Sequence, residues 1–115
     1  MADGTEELEE VLRQASEIAL PVIVLGEYRF GIRQSRHAAR YERWLSEMIE
    51  ACRVLAVNDE TAHEYAAVSG DLKRLGRPIP GNDVWIAALA RQHTMPVVSR
   101  DAYFDAVPGL IRLSW

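Results

Sequence analysis

An α/β fold with a mainly parallel sheet is the class this sequence predicts, and three observations predict it. Short Val- and Ile-rich runs alternate with longer stretches of helical periodicity, the pattern of βαβ units with right-handed crossovers. Caps, glycines and prolines punctuate the helical stretches. The chain has 115 residues, 49% apolar and 26% charged, which is enough for one core. Folding at this length buries roughly two-thirds of the surface that the unfolded chain exposes. Residues 1–115 read as a single domain without linker or repeat.

The elements follow in order. Asp3 and Glu6 form a capping-box start, and Leu8, Val11, Leu12 and Ala15 then recur at helical spacing, so residues 5 to 16 form an amphipathic helix. Ile18 to Leu25 is a continuous apolar run bearing Pro21 and reads as a buried strand that ends before Glu27. Tyr28, Phe30, Ile32, then Tyr41, Trp44, Leu45, Met48 and Ile49 suit two helical stretches separated near Ser35, with arginines on their polar sides. Val54 to Val57 is a short strand, and Asn58 caps a helix that runs to Leu75 and stops at Gly76. Arg77-Pro78-Ile79-Pro80-Gly81 is a loop, because two prolines and a glycine crowd five positions. Asn82 starts the most apolar helix, Val84 to Ala90, which is apolar all round and therefore buried on most sides. Pro96 to Val98 is a third strand and Leu110 to Leu113 a fourth.

Composition excludes several functions. Seventeen acidic against thirteen basic residues give a net charge of -4, which disfavours a charge-driven binder of nucleic acid. Cys52 is the single cysteine, so no intrachain disulfide forms, and no C-x-x-C or H-E-x-x-H spacing offers a zinc site. The acidic N-terminus and the lack of an apolar run near 18 residues point away from secretion and membrane insertion, towards a reducing, cytoplasmic home.

In parallel α/β folds the binding crevice lies beyond the carboxyl ends of the strands. Glu27 follows the first expected strand, Asp83 opens the most apolar helix, and Asp101 lies just past the third strand. Three acids converging on one crevice repel one another and call for a counter-ion, and their hard oxygens favour Mg²⁺ or Mn²⁺. Each has a plainer reading beside this one. Asp83 and Glu27 suit a helix start as cap or dipole partner, although Asn82 can cap in place of Asp83, and Asp101 suits an Asx-turn.

Pro80-Gly81-Asn82-Asp83-Val84-Trp85-Ile86-Ala87-Ala88, then Pro96-Val97-Val98-Ser99-Arg100-Asp101-Ala102-Tyr103-Phe104 and Val107-Pro108-Gly109-Leu110, resemble the C-terminal half of a PIN-domain protein of the VapC type. Ile18-Ala19-Leu20-Pro21 through Gly26-Glu27-Tyr28-Arg29-Phe30-Gly31-Ile32 resembles the same family's second-strand motif. The motifs are short, but they occur in the family's order and spacing over nearly the whole chain. The resemblance implies a PIN-like three-layer domain, a parallel sheet flanked by helices. It implies a Mg²⁺- or Mn²⁺-dependent endoribonuclease toxin that cuts structured RNA such as transfer RNA, is neutralised by an antitoxin and forms homodimers. Asp83 and Asp101 would ligate metal, Glu27 would ligate it or position the attacking water, and Ser99 would support the site by a hydrogen bond. Asp105 is a weaker candidate.

PIN-domain chains normally begin with an apolar central strand ending in an aspartate, and Met1 to Glu10 resembles a later loop and helix. The expectation is therefore a domain without that strand, reflecting a start placed too far downstream, a truncated chain or a degenerate copy, with three acids and reduced or absent activity. Asp3, with no apolar strand before it, is no substitute for the missing acid. A second hypothesis follows: a non-catalytic module that docks an antitoxin helix through Tyr41, Trp44 and Met48, or dimerises. A phosphate-transfer or receiver-like domain needs an acidic pair after an early strand and a lysine after a late one, and neither occurs. His37, His63 and His93 show no ligand spacing, and Cys52, Trp44 and Trp85 read as core, with Trp115 on the last strand or at an interface. Lys73, Arg74 and Arg77 gather before the loop leading to Asp83, as a solvated helix end or a grip on an RNA phosphate.

Overall fold

The computed structural model describes residues 5–15 and 17–114. The expected Asp3 cap and the placement of Trp115 lie outside these. The chain forms two compact units, Ser16–Ala56 and a second made of Met1–Ala15 with Val57–Trp115.

In the Ser16–Ala56 unit, β1 (Ala19–Pro21) pairs in parallel with β2 (Arg53–Leu55), in the register Ala19 to Arg53, Leu20 to Val54 and Pro21 to Leu55. The strand expected over Ile18 to Leu25 is cut short, because α2 (Val22–Arg33) begins directly after Pro21. Pro21, with φ of -63° and ψ of 139°, is the extended N-cap of that helix and has no N–H to continue a ladder. An apolar run of this length suits a buried strand and a buried helix equally, so periodicity alone could not separate them. Helix α3 (Ala38–Ala51) follows a break at Ser35, whose hydroxyl accepts a hydrogen bond from His37 N at 3.1 Å. Ile32, Leu45 and Leu55 are the buried residues among those described in this unit. An Arg29–Glu42 ion pair of 2.9 Å and a tilted Tyr28–Trp44 ring pair 6.4 Å apart link α2 and α3. Of the residues expected in the core, Trp44, Cys52 and Trp85 are not buried, Trp85 being half-buried with its ring 4.1 Å from that of Tyr65. Trp44 is exposed because its neighbour Leu45, about 100° further round the helix, takes the buried face. Cys52 is half-buried, at the C-cap where the chain turns into β2.

The second unit opens with α1 (Thr5–Gln14), its acids Glu6 and Glu7 in the first turn and Arg13 in the last, as the helix dipole favours. Helix α4 (Asp59–Leu75) starts at a capping box in which Asn58 accepts from Thr61 N and Thr61 accepts from Asn58 N. It ends at Gly76 in the left-handed conformation, with φ of 66°. The hydrogen bond from Arg77 N to Leu72 O, 3.0 Å, closes the end in the manner of a Schellman motif. Helix α5 (Gly81–Gln92) packs on α4. Val68 and Leu72 of α4, Val84, Ala87 and Ala90 of α5, and Val97, Phe104 and Val107 form one core. Arg91 of α5 ties back to α4 through Asp71 at 3.1 Å and lies 3.3 Å from Glu64. Strand β3 (Val97–Val98) pairs in parallel with β4 (Arg112–Leu113), in the register Val97 to Arg112 and Val98 to Leu113. A 3₁₀ turn over Ala102–Ala106, absent from the expected elements, lies between them.

The expected parallel pairing is present. Among the described residues it takes the form of two two-stranded sheets rather than one continuous sheet.

Candidate functional site

Asp83 lies in the first turn of α5, but it does not cap the helix. The N-cap is Pro80, which makes no side-chain cap bond, and its carbonyl accepts from Asp83 N and Val84 N at 3.0 and 3.1 Å. Asn82, expected as the start and cap, lies one residue inside the helix. The rigid Pro80 conformation replaces a polar cap, and the Asp83 carboxylate is left for other partners.

Its partner is Tyr103. The phenol hydroxyl donates to Asp83 Oδ2, and the same oxygen lies 3.4 Å from Asp101 Oδ2. Asp101 follows β3 and is the extended residue that opens the 3₁₀ turn carrying Tyr103. The three side chains therefore meet because the start of α5 and the end of β3 are packed on one core. The Asp83 hydrogen bond pushes the Tyr103 phenol far above its ordinary value, reinforced by burial and by the charges of Asp83 and Asp101. Tyr103 thus keeps its proton and donates it to Asp83.

Ser99, at the end of β3, accepts a hydrogen bond from Asp101 N at 3.0 Å and fixes the turn that aims Asp101. Arg112 on β4 donates to Ser99 O at 3.1 Å and forms a bidentate pair with Asp105 at 2.9 and 3.0 Å. That pair holds the Asp105 carboxyl below its usual range, and Asp105 is committed to Arg112.

Glu27 lies in the other unit, exposed and six residues into α2 rather than at the end of a strand. The histidines sit apart on the α3 N-cap, on α4 and at the α5 C-cap. Among the described residues, no three His, Cys, Asp or Glu side chains form a group that could hold a metal ion. Two carboxylates around one point nevertheless suit Mg²⁺ or Mn²⁺, because hard cations of this size keep several waters and take one or two protein carboxylates plus substrate oxygens. Of the cations before the α5 loop, Arg74 pairs with Asp71 at 2.8 Å. Lys73 lines a cleft of about 410 Å³ with Leu72, Ile79 and Val84.

Tyr103 and Arg112 are the residues that sequence reasoning gave no role. The signal for Tyr103 was a hydroxyl two positions beyond a candidate acid. For Arg112 there was none, since its partners lie on the 3₁₀ turn and at the end of β3.

Comparison with known proteins places these observations in context. The sequence model of the PIN domain matches residues 2–110. Ribonuclease VapC5 of Mycobacterium tuberculosis is 32% identical over 94 residues, 80% of this chain and 70% of the relative. Ribonuclease VapC2 of Rickettsia felis is 26% identical, over 92% of this chain and 80% of that one. Among solved structures, VapBC2 from Rickettsia felis bound to a promoter DNA fragment superposes with a TM-score of 0.83 at 23% identity, covering 99% of this chain and 86% of that one. VapBC-5 from Mycobacterium tuberculosis, a toxin-antitoxin system, gives a TM-score of 0.69 at 29% identity, covering 84% and 79%.

Proposed function

The chain belongs to the PIN-domain family as a homologue of VapC-type ribonuclease toxins, and from that premise we propose that it is a Mg²⁺- or Mn²⁺-dependent endoribonuclease toxin acting on structured RNA such as transfer RNA. The observation that carries this reading is the meeting of Asp83 and Asp101 on one hydroxyl at the end of β3. In it, Asp83 and Asp101 hold the cation. Ser99 holds Asp101 in its direction through the backbone N–H. When bound, the cation supplies charge neutralisation at the phosphoryl oxygens and a more acidic water. The carboxylates then serve an in-line displacement at phosphorus by keeping that water and the scissile phosphate in register. With a net charge of -4, the chain would draw RNA in through local cations such as Lys73 and Arg77 rather than through its overall field.

The test is cleavage of a transfer RNA pool by the purified chain with Mn²⁺, with Mg²⁺ and with EDTA. Cleavage that needs the metal and vanishes in Asp83→Ala is the expected result; full cleavage by Asp83→Ala would sink the assignment.

A second reading is favoured by exposed apolar side chains of the Ser16–Ala56 unit. Tyr41, Trp44 and Met48, at helical spacing on α3, with Tyr28 of α2 beside Trp44, expose large apolar surface, and a clustered apolar face of this kind is characteristic of a protein-docking surface. A cognate antitoxin helix is the proposed partner, and a second copy of the chain the alternative. If cleavage is absent with every metal while the antitoxin still binds, the chain is a non-catalytic toxin relative.

A further inference from the structure

The position of the Tyr103 hydroxyl has a consequence for metal loading, and the inference rests on the reading of Asp83 and Asp101 as the metal-holding acids. The hydroxyl oxygen contacts Asp83 Oδ2 and Asp101 Oδ2 at once. A cation held by both of those oxygens would compete with the hydroxyl for the space between them, because Mg²⁺ binds oxygen at about 2.0–2.1 Å. We propose that Tyr103 is a plug for the cation site: its hydroxyl stands where the cation binds, and loading requires the side chain to swing out.

The geometry permits that movement. Tyr103 is 37% exposed, while its neighbour Phe104, with rings 5.2 Å apart, is the residue of the turn that anchors in the core. The turn therefore stays fixed while the phenol leaves. In the metal-free protein the donated hydrogen bond occupies Asp83 and partly offsets the repulsion between the carboxylates. Tyr103 is accordingly a residue that sets cation affinity by competing for Asp83.

The experiment is a Mn²⁺ titration of the full chain, read by loss of the free-ion EPR signal, for the wild type, Tyr103→Phe and Asp83→Ala. Phenylalanine keeps the ring against Phe104 and removes only the hydroxyl. Tyr103→Phe is expected to bind Mn²⁺ about 10- to 100-fold more tightly, the value of one competing hydrogen bond to a charged group, and Asp83→Ala to lose the site. Asp83-dependent binding that is unchanged or weaker in Tyr103→Phe overturns the plug and leaves the metal site standing. Absence of Asp83-dependent binding in both the wild type and Tyr103→Phe overturns the metal site and the plug with it.

Discussion

Of the carboxylates in the second unit that pair with arginines, Asp71 and Asp105 are held low enough to respond to acid. Asp105 is held below its ordinary value of 3.8 by its paired hydrogen bonds to Arg112, and Asp71 likewise by Arg74 and then Arg91. A carboxyl depressed in the folded state adds stability that is fully present above the unfolded value and is lost as pH falls through the folded one. Stability should therefore decline on acidification below about 3.8, and Asp71→Asn and Asp105→Asn should each flatten that acid limb when melting temperature is followed from neutral pH downwards. Asp71→Asn is the more informative of the two, because Asp71 joins Arg91 of α5 to α4. At this scale the sequence was partly legible. Asp83 and Asp101 stood out from their places at a helix start and after a strand, and Ser99 from the family resemblance; the Ser99 hydroxyl accepts from Asp101 N. Asp105 was visible only as an acid near the site, because its partner Arg112 lies seven positions away on β4.

Helix ends show how local backbone chemistry sets element boundaries. Gly76 closes α4 with φ of 66°, and an added Cβ there meets nothing within 4 Å, so the cost of a substitution is conformational rather than steric. Thr94, just past the α5 C-cap, is a β-branched residue with φ of 53°, the same strained region without the glycine. Gly76→Ala should lose about 1 kcal/mol and Thr94→Asn should gain up to about 1 kcal/mol, the left-handed penalty being of that order. Urea unfolding of the two variants checks both signs. Gly76 was legible as a stop because glycine after a periodic helix has one common use. The α2 boundary was not, since Val22, Ile23, Val24 and Leu25 suit either element and only the Pro21 turn decides between them. The 3₁₀ turn over Ala102–Ala106 was also missed, since such short turns leave almost no periodic signal.

At the scale of the molecule the two units carry different amounts of core. The Val57–Trp115 segment buries Val68, Leu72, Ala87, Ala88 and Leu89 at 3% exposure or less, whereas the Ser16–Ala56 unit buries Ile32, Leu45 and Leu55. Opening free energy follows buried apolar contact. In native-state hydrogen exchange the amides of α4 and α5 should therefore outlast those of α2 and α3, and equal protection in both would overturn this ordering. Exchange would also show whether a partner orders the exposed aromatic face of α2 and α3, by added protection there alone.

The sequence by itself determined the α/β alternation, the Asn58 start and Gly76 stop of α4, the Pro-rich loop before α5 and the identity of the candidate acids. These depend on caps, restricted dihedrals and hydrophobic period, all of which act within a few residues. Tertiary structure alone decided that Asp83 and Asp101 meet on Tyr103, 20 residues from Asp83, that Pro80 rather than a polar side chain opens α5, and that Asp105 is bound to Arg112. Those outcomes depend on the pairing of β3 with β4 and the packing of α5 on α4. A hydrogen bond between residues far apart in the chain forms only where burial of the core has already brought their backbones together.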